Sequence, residues 1–134
     1  MREPVYMVRS YHDAPRTGIA DYKGRPHWYE SRFDHAKQQY DDIYQLRPVD
    51  AETFQLSLEA RDIFLRWERA FRDGLTTIDT HPSLPPEHGR WDVINNIILD
   101  RVNGLRDPPL LLRAEFEPGT KPEWVEWKRI GDAS

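Results

Sequence analysis

This sequence predicts an α+β fold with an antiparallel sheet of about six strands, on three observations. Side-chain character alternates with period two at both ends of the chain, the middle repeats at three- and four-residue steps, and the strand-to-strand connections are short. The order reads as four strands, two helices and two strands, with both amphipathic helices packed on one side of the sheet. A small N-terminal β-barrel with appended helices is the alternative, because short aromatic-rich strands with glycines at their bends also suit closure. Residues 1–134 are long enough for one core and are read as a single domain.

The first strand is VYMVRSY from Val5. GIADY and PHWYESRF follow, joined through Lys23-Gly24, where Gly24 supplies the positive φ of a tight turn. On the third strand His27, Tyr29, Ser31 and Phe33 share one face, and Trp28, Glu30 and Arg32 the other. Both faces carry aromatics, so the buried one is not fixed by pattern. The segment 34–42 (DHAKQQYDD) lacks an apolar stripe and is expected to be a loop or a single helical turn, a candidate mobile flap. DIYQLRP is the fourth strand.

The middle begins with Asp50 as N-cap. Leu56, Ala60, Ile63, Phe64, Trp67, Ala70 and Phe71 then form one stripe that ends at Gly74. Asp62 with Arg66 and Glu68 with Arg72 mark the solvated face at i,i+4 spacing. After a Thr/Pro-rich connector, a second helix from about Pro86 to Asn103 carries Trp91, Ile94, Ile98, Val102 and Leu105, and is stopped by Gly104 and Pro108-Pro109. Leu110, Leu112, Ala114 and Phe116 restore period two, and a turn at EPGTKP leads into WVEWKRI as a closing hairpin. Trp124 and Trp127 fall on opposite strand faces, which makes Trp127 a candidate interface anchor. The Asp132-Ala133-Ser134 tail is expected to fray.

Composition excludes several classes. Five tryptophans, six tyrosines and five phenylalanines are too many for a disordered chain, and no stretch approaches the roughly 18 apolar residues of a membrane span. The N-terminus is broken by charge and proline where a signal peptide needs an apolar run, so a soluble, cytoplasmic protein is expected. With no cysteine, thiol catalysis and thiolate metal sites are out. The net charge is −4, with only a slight basic excess in the first 32 residues, which disfavours nucleic acid as a partner.

Chemistry is harder to read. No Gly-x-Ser-x-Gly, Walker loop, Gly-x-Gly-x-x-Gly, His-Glu-x-x-His or EF-hand loop occurs. His12, Asp13, His27, His35, Asp41 and Asp42 are the residues from which a metal site would be built, but their spacing fits no standard pattern, so neither metal nor cofactor is expected. The candidate ligand-binding residues are Asp13, Arg16, Tyr22, His27 and Tyr29. An arginine there suits a carboxylate or phosphate, and His27 or Asp13 could move a proton. The competing structural account is that Asp13 caps the Pro15-Arg16 turn and Arg16 pairs with an acid on the next strand.

The pattern Y-x-D-x-P-R-x-G-x-A-x-Y-x-G-x-P-x-x-Y-x-S from Tyr11 to Ser31, followed by LRPVD at 46–50 and by RWERAF in the first helix, resembles a group of short hypothetical bacterial proteins. The resemblance implies a small free-standing bacterial protein and carries no activity, cofactor or site residue. The function expected is non-catalytic binding of a protein partner or small ligand at the N-terminal hairpin. One rival is a small enzyme using Asp13, Arg16 and His27 on an anionic substrate. The other is a single-stranded nucleic-acid binder, which requires Tyr22, Trp28 or Tyr29 to face solvent beside Arg25 and Arg32. A homodimer through an unpaired edge strand or Trp127 is a further expectation.

Overall fold

A computed structural model describes residues 1–131; the tail expected to fray lies outside the described residues. The chain divides into two compact units, a β unit of Met1–Asp50 with the residues from Leu105 on, and a helical unit of Ala51–Gly104. The β unit contains β1 (Arg2–Tyr11), β2 (Pro15–Tyr22), β3 (Arg25–Asp34), β4 (Gln39–Pro48), β5 (Leu110–Phe116) and β6 (Trp124–Arg129). The helical unit contains α1 (Ala51–Arg72) and α2 (His88–Asn103), with 3-10 turns at Ile78–Thr80 and Pro85–Glu87 between them.

Six antiparallel strands and two helices are present, but the sheet is closed rather than open, which fits the alternative of a small barrel with appended helices. Each strand pairs antiparallel with the next, and β1 pairs with β6, which closes a six-stranded barrel. The seam is short: Arg2, Glu3 and Pro4 oppose Glu126, Val125 and Trp124, and the Val5 amide adds a bond to the Glu123 carbonyl at 3.0 Å. What makes it possible is curvature in β1, whose pairing with β2 shifts register three times between Val5 and Tyr11. Each bulge bends the strand and increases its twist. Closure pairs the start of β1 with β6 and so shortens the unpaired edge without removing it.

Inside the barrel, Val5, Ala20, Tyr29, Tyr44, Leu46, Leu112 and Val125 form the buried cluster, with Phe116 and Trp127 packed against it. The rings of Tyr29, Tyr44, Phe116 and Trp127 meet one another at 5.4–6.0 Å between centroids. Each such contact adds about 0.5–1.5 kcal/mol beyond the area it buries. Trp127 therefore packs, partly buried, against the core, and its indole Nε1 donates to the Asp21 carbonyl at 2.8 Å. Trp124, on the outer face, is half-buried beneath the Arg2 guanidinium at 3.8 Å. On β3 both faces are buried: Tyr29 points inward, and Trp28, on the other face and opposite Ile19 in register, is only 6% exposed. Room for the Tyr29 ring comes from Gly18 across the ladder, where a Cβ would sit 2.0 Å from the Met7 carbonyl oxygen and 2.5 Å from the Tyr29 hydroxyl.

The expected flap at 34–42 is instead the end of a hairpin. β3 continues through Asp34 and β4 starts at Gln39, so only residues 35–38 turn. Asp34 accepts the amides of Ala36 and Lys37 at 3.0 and 3.2 Å, and Gln38 takes a positive φ of 54°. An Asx turn of this kind replaces the helical turn that the polar composition suggested.

In the helical unit α1 packs on α2, and Ala60, Ile63 and Trp67 are buried along with Ile94 and Ile98. The Trp67 ring stacks on Phe64 and Phe71 and receives the edge of His81 at 4.7 Å, while its Nε1 donates to Thr80 Oγ1 at 2.8 Å. Glu68 pairs with Arg72 as the spacing predicts, but Arg66 reaches Glu87 rather than Asp62. Arg90 with Glu59 and Arg101 with Glu52 join the two helices at the surface, pairs worth about 0–1 kcal/mol each. No helix among the described residues is long and apolar enough to cross a membrane.

Gly18→Ala is expected to lower the unfolding free energy by about 1–3 kcal/mol in urea titrations, because backbone cannot yield to the added methyl. Gly89→Ala, where a Cβ meets nothing within 4 Å, is expected to leave stability unchanged or slightly raised.

Candidate functional site

Alternation along β2 puts Arg16, Gly18, Ala20 and Tyr22 on the inner face of the barrel. At a rise of roughly 3.3 Å per residue, Arg16 and Tyr22 are then about 20 Å apart, at opposite mouths. The candidate residues accordingly do not form one cluster. Arg16 lies at the mouth framed by the β1–β2 and β3–β4 turns, Tyr29 fills the middle, and Tyr22 and His27 sit at the other mouth. Asp13 stands on the β1–β2 turn with a φ of 63°, its side chain 88% exposed and its carboxylate 3.8 Å from His12 Nε2.

The Arg16 mouth is the more unusual chemically. The guanidinium is half-buried; its Nε donates to the His12 carbonyl at 2.8 Å and its Nη1 to Ser31 Oγ at 3.3 Å. Its carbon lies 4.7 Å from the Tyr40 ring centroid, a cation–π distance. The partner acid expected on the next strand is not there. The nearby acids are engaged elsewhere: Asp13 with His12, Asp41 with Arg32 at 3.0 Å, and Asp42 with Arg113 at 3.6 Å. A charge withdrawn from water is ordinarily paired, and among the described residues this one is held by neutral oxygens and a ring.

The hydroxyls beneath it have their protons committed. Tyr44 donates to the Pro15 carbonyl at 2.6 Å, Ser31 to the Asp41 carbonyl at 2.9 Å and Tyr29 to the Met7 carbonyl at 3.2 Å. Burial pushes the Tyr44 phenol above its ordinary pKa, against the opposing pull of the Arg16 charge, and pushes Tyr29 well above it. Both stay neutral, so Arg16, with five N–H donors on a planar fork, is the group with donors to spare. Rings form the rim: Tyr40 lies 5.5 Å from His12 and 5.1 Å from Phe33, and Phe33 lies 5.0 Å from His35. Neither Tyr40 nor Tyr44 was singled out by motif. The signal that reaches them is the period-two spacing of Tyr40, Asp42, Tyr44 and Leu46.

At the opposite mouth His27 is 6% exposed, its Nδ1 2.7 Å from the Arg25 carbonyl and its ring edge-on to Tyr22 at 5.8 Å. Asp21 points away from the barrel interior, accepts the Tyr6 hydroxyl at 3.0 Å and leaves its Oδ1 buried without a partner. Burial lowers the His27 pKa, opposed by the bond to the Arg25 carbonyl. Burial raises the Asp21 pKa, opposed by Tyr6 and reinforced by the charge of Glu3.

This geometry puts His27 at the mouth opposite Arg16 and Asp13, with the Tyr29 ring between them, whereas an Asp13, Arg16 and His27 enzyme would have to unite all three. It also buries Trp28 and Tyr29, two of the three rings on which a nucleic-acid platform at that strand would depend. Among the described residues no three His, Asp or Glu side chains converge as a metal site would require. No protein-family model, curated protein or solved structure matches the chain.

The two buried titrating groups act on stability in opposite senses. Folded His27 resists protonation, so stability that is present above its ordinary pKa of 6.5 is lost as pH falls below that value. Folded Asp21 holds its proton to higher pH than the unfolded chain does, so its contribution is favourable below its ordinary 3.8 and declines as pH rises through the folded value. His27→Gln is expected to flatten the fall in urea midpoint as pH drops below about 6.5, and Asp21→Asn to remove the gain that Asp21 contributes as pH falls toward 3.8.

Proposed function

We propose that the protein is a cytosolic, non-catalytic binding module that holds a small anionic ligand at the barrel mouth framed by the β1–β2 and β3–β4 turns. The observation that carries this reading is Arg16: a half-buried guanidinium, positioned by the His12 carbonyl, Ser31 Oγ and the Tyr40 ring, with no ion pair to a carboxylate among the described residues. An anion would supply the missing counter-charge through charge-assisted bonds, which are stronger than neutral ones and favour the planar arginine fork. Barrel mouths are common ligand sites, and the four-ring core confines any ligand here to an end of the barrel. The enzyme reading gains no comparable support, because His27 lies at the mouth opposite Arg16 and Asp13.

Titration of the ¹⁵N-labelled protein with inorganic phosphate and with citrate is expected to shift the Arg16 Nε–Hε resonance and the amides of residues 12–17 and 39–44. Arg16→Ala should weaken binding about 10- to 100-fold, and Arg16→Lys, which keeps the charge and loses the fork, by an intermediate amount. Unmoved resonances in the wild type, with Arg16→Ala merely less stable, would make Arg16 a structural plug and overturn the proposal.

A further inference from the structure

The rim beside Arg16 bears on what kind of anion it takes. On the inner-facing row of β3, His27, Tyr29 and Ser31 are 6%, 0% and 5% exposed, whereas Phe33 is 40% exposed. Phe33 stands directly opposite Tyr40 in the β3–β4 ladder, edge-on at an interplanar angle of 74°. Tyr40 in turn meets the Arg16 guanidinium and His12, and Phe33 meets His35, so four rings run in contact along the rim beside the guanidinium. The guanidinium and the Phe33 ring are consequently within about 10 Å of each other, one surface able to take charge and a flat ring together.

We infer that the ligand is an anion carried on a flat aromatic group, a nucleoside monophosphate or an aromatic carboxylate, its charged group on Arg16 and its ring against Phe33 and Tyr40. The inference rests on the anion site proposed at Arg16. Every base and every aryl group has a π face, so stacking accepts the class, while the arginine selects for charge. A nucleic-acid strand is disfavoured by the surroundings. Asp13, Asp34, Asp41 and Asp42 on the same two hairpins offset Arg16, Arg32 and Lys37, so there is no basic excess to track a polyanion, whereas a single anionic group can be matched by one arginine.

Calorimetric and NMR titrations with adenosine 5′-monophosphate, ribose 5-phosphate, benzoate and a ten-residue oligothymidylate test this on the full chain. The monophosphate is expected to bind about tenfold or more tightly than ribose 5-phosphate, and Phe33→Ala to erase that difference while leaving ribose 5-phosphate binding unchanged. A structural role for Phe33 would weaken both ligands alike and overturn the inference. Benzoate binding that needs Phe33 would extend the ligand to aromatic carboxylates, and silence with benzoate would assign it to phosphates. Equal binding of the two phosphates, both lost in Arg16→Ala, overturns the ring and keeps the anion site; binding of neither overturns both. Tighter binding per nucleotide of the oligomer than of the monophosphate would replace the small ligand with a strand.

Discussion

A sheet that closes on itself must fill its interior with its own side chains, and here Tyr29 is the ring around which that interior is arranged. It is fully buried, touches Tyr44, Phe116 and Trp127, and sits over the one inner position of β2 that has no side chain. Those partners come from β4, β5 and β6, so the ring ties distant strands to the N-terminal hairpin. The Trp127 bond to the Asp21 carbonyl does the same from β6 to β2. With a seam of three residue pairs, the closed state depends on this packing more than on the β1–β6 ladder itself.

A plugged centre makes the two mouths chemically independent. One presents an arginine whose neighbours are carbonyl and hydroxyl oxygens and an aromatic face. The other presents a histidine that burial keeps neutral, next to a residue, Asp21, whose carboxyl faces the opposite way. The difference follows from which residues fall at the two ends of β2, eight residues that run from one mouth to the other. At the Arg16 mouth, the acids that would ordinarily neutralise the cation are drawn to Arg32, Arg113 and His12. The arginine is left with part of its hydrogen-bonding capacity uncommitted, and that capacity is what the proposed function uses.

The helical unit interrupts the barrel between β4 and β5 without disturbing their ladder, in which Leu46 opposes Leu110. Its own stability comes from the stripe that includes Ala60, Ile63, Trp67, Ile94 and Ile98 and from capping of the Trp67 indole by Thr80. The interhelical ion pairs lie largely at the surface and contribute register more than energy.

Local chemistry in the sequence by itself determined that there are strands at both ends of the chain, the turn at Lys23-Gly24 and two helices in the middle, because alternation, i,i+4 spacing and glycine conformational freedom act over a few residues. Arg16 was legible as an anion-binding candidate for the same reason: residue type and turn context are local. Only the tertiary structure decided that β1 bends back to β6, that Trp127 turns inward, and that Tyr29 and Trp28 are buried on opposite faces of one strand. It also decided that Arg16 meets Tyr40 and Tyr44 rather than His27. Those outcomes depend on register shifts in β1 and on contacts between residues as far apart as Asp21 and Trp127. Patterns with a period of two or four residues carry no information about which distant strand will come to lie alongside, since that choice is made by the volume the closed barrel has to fill.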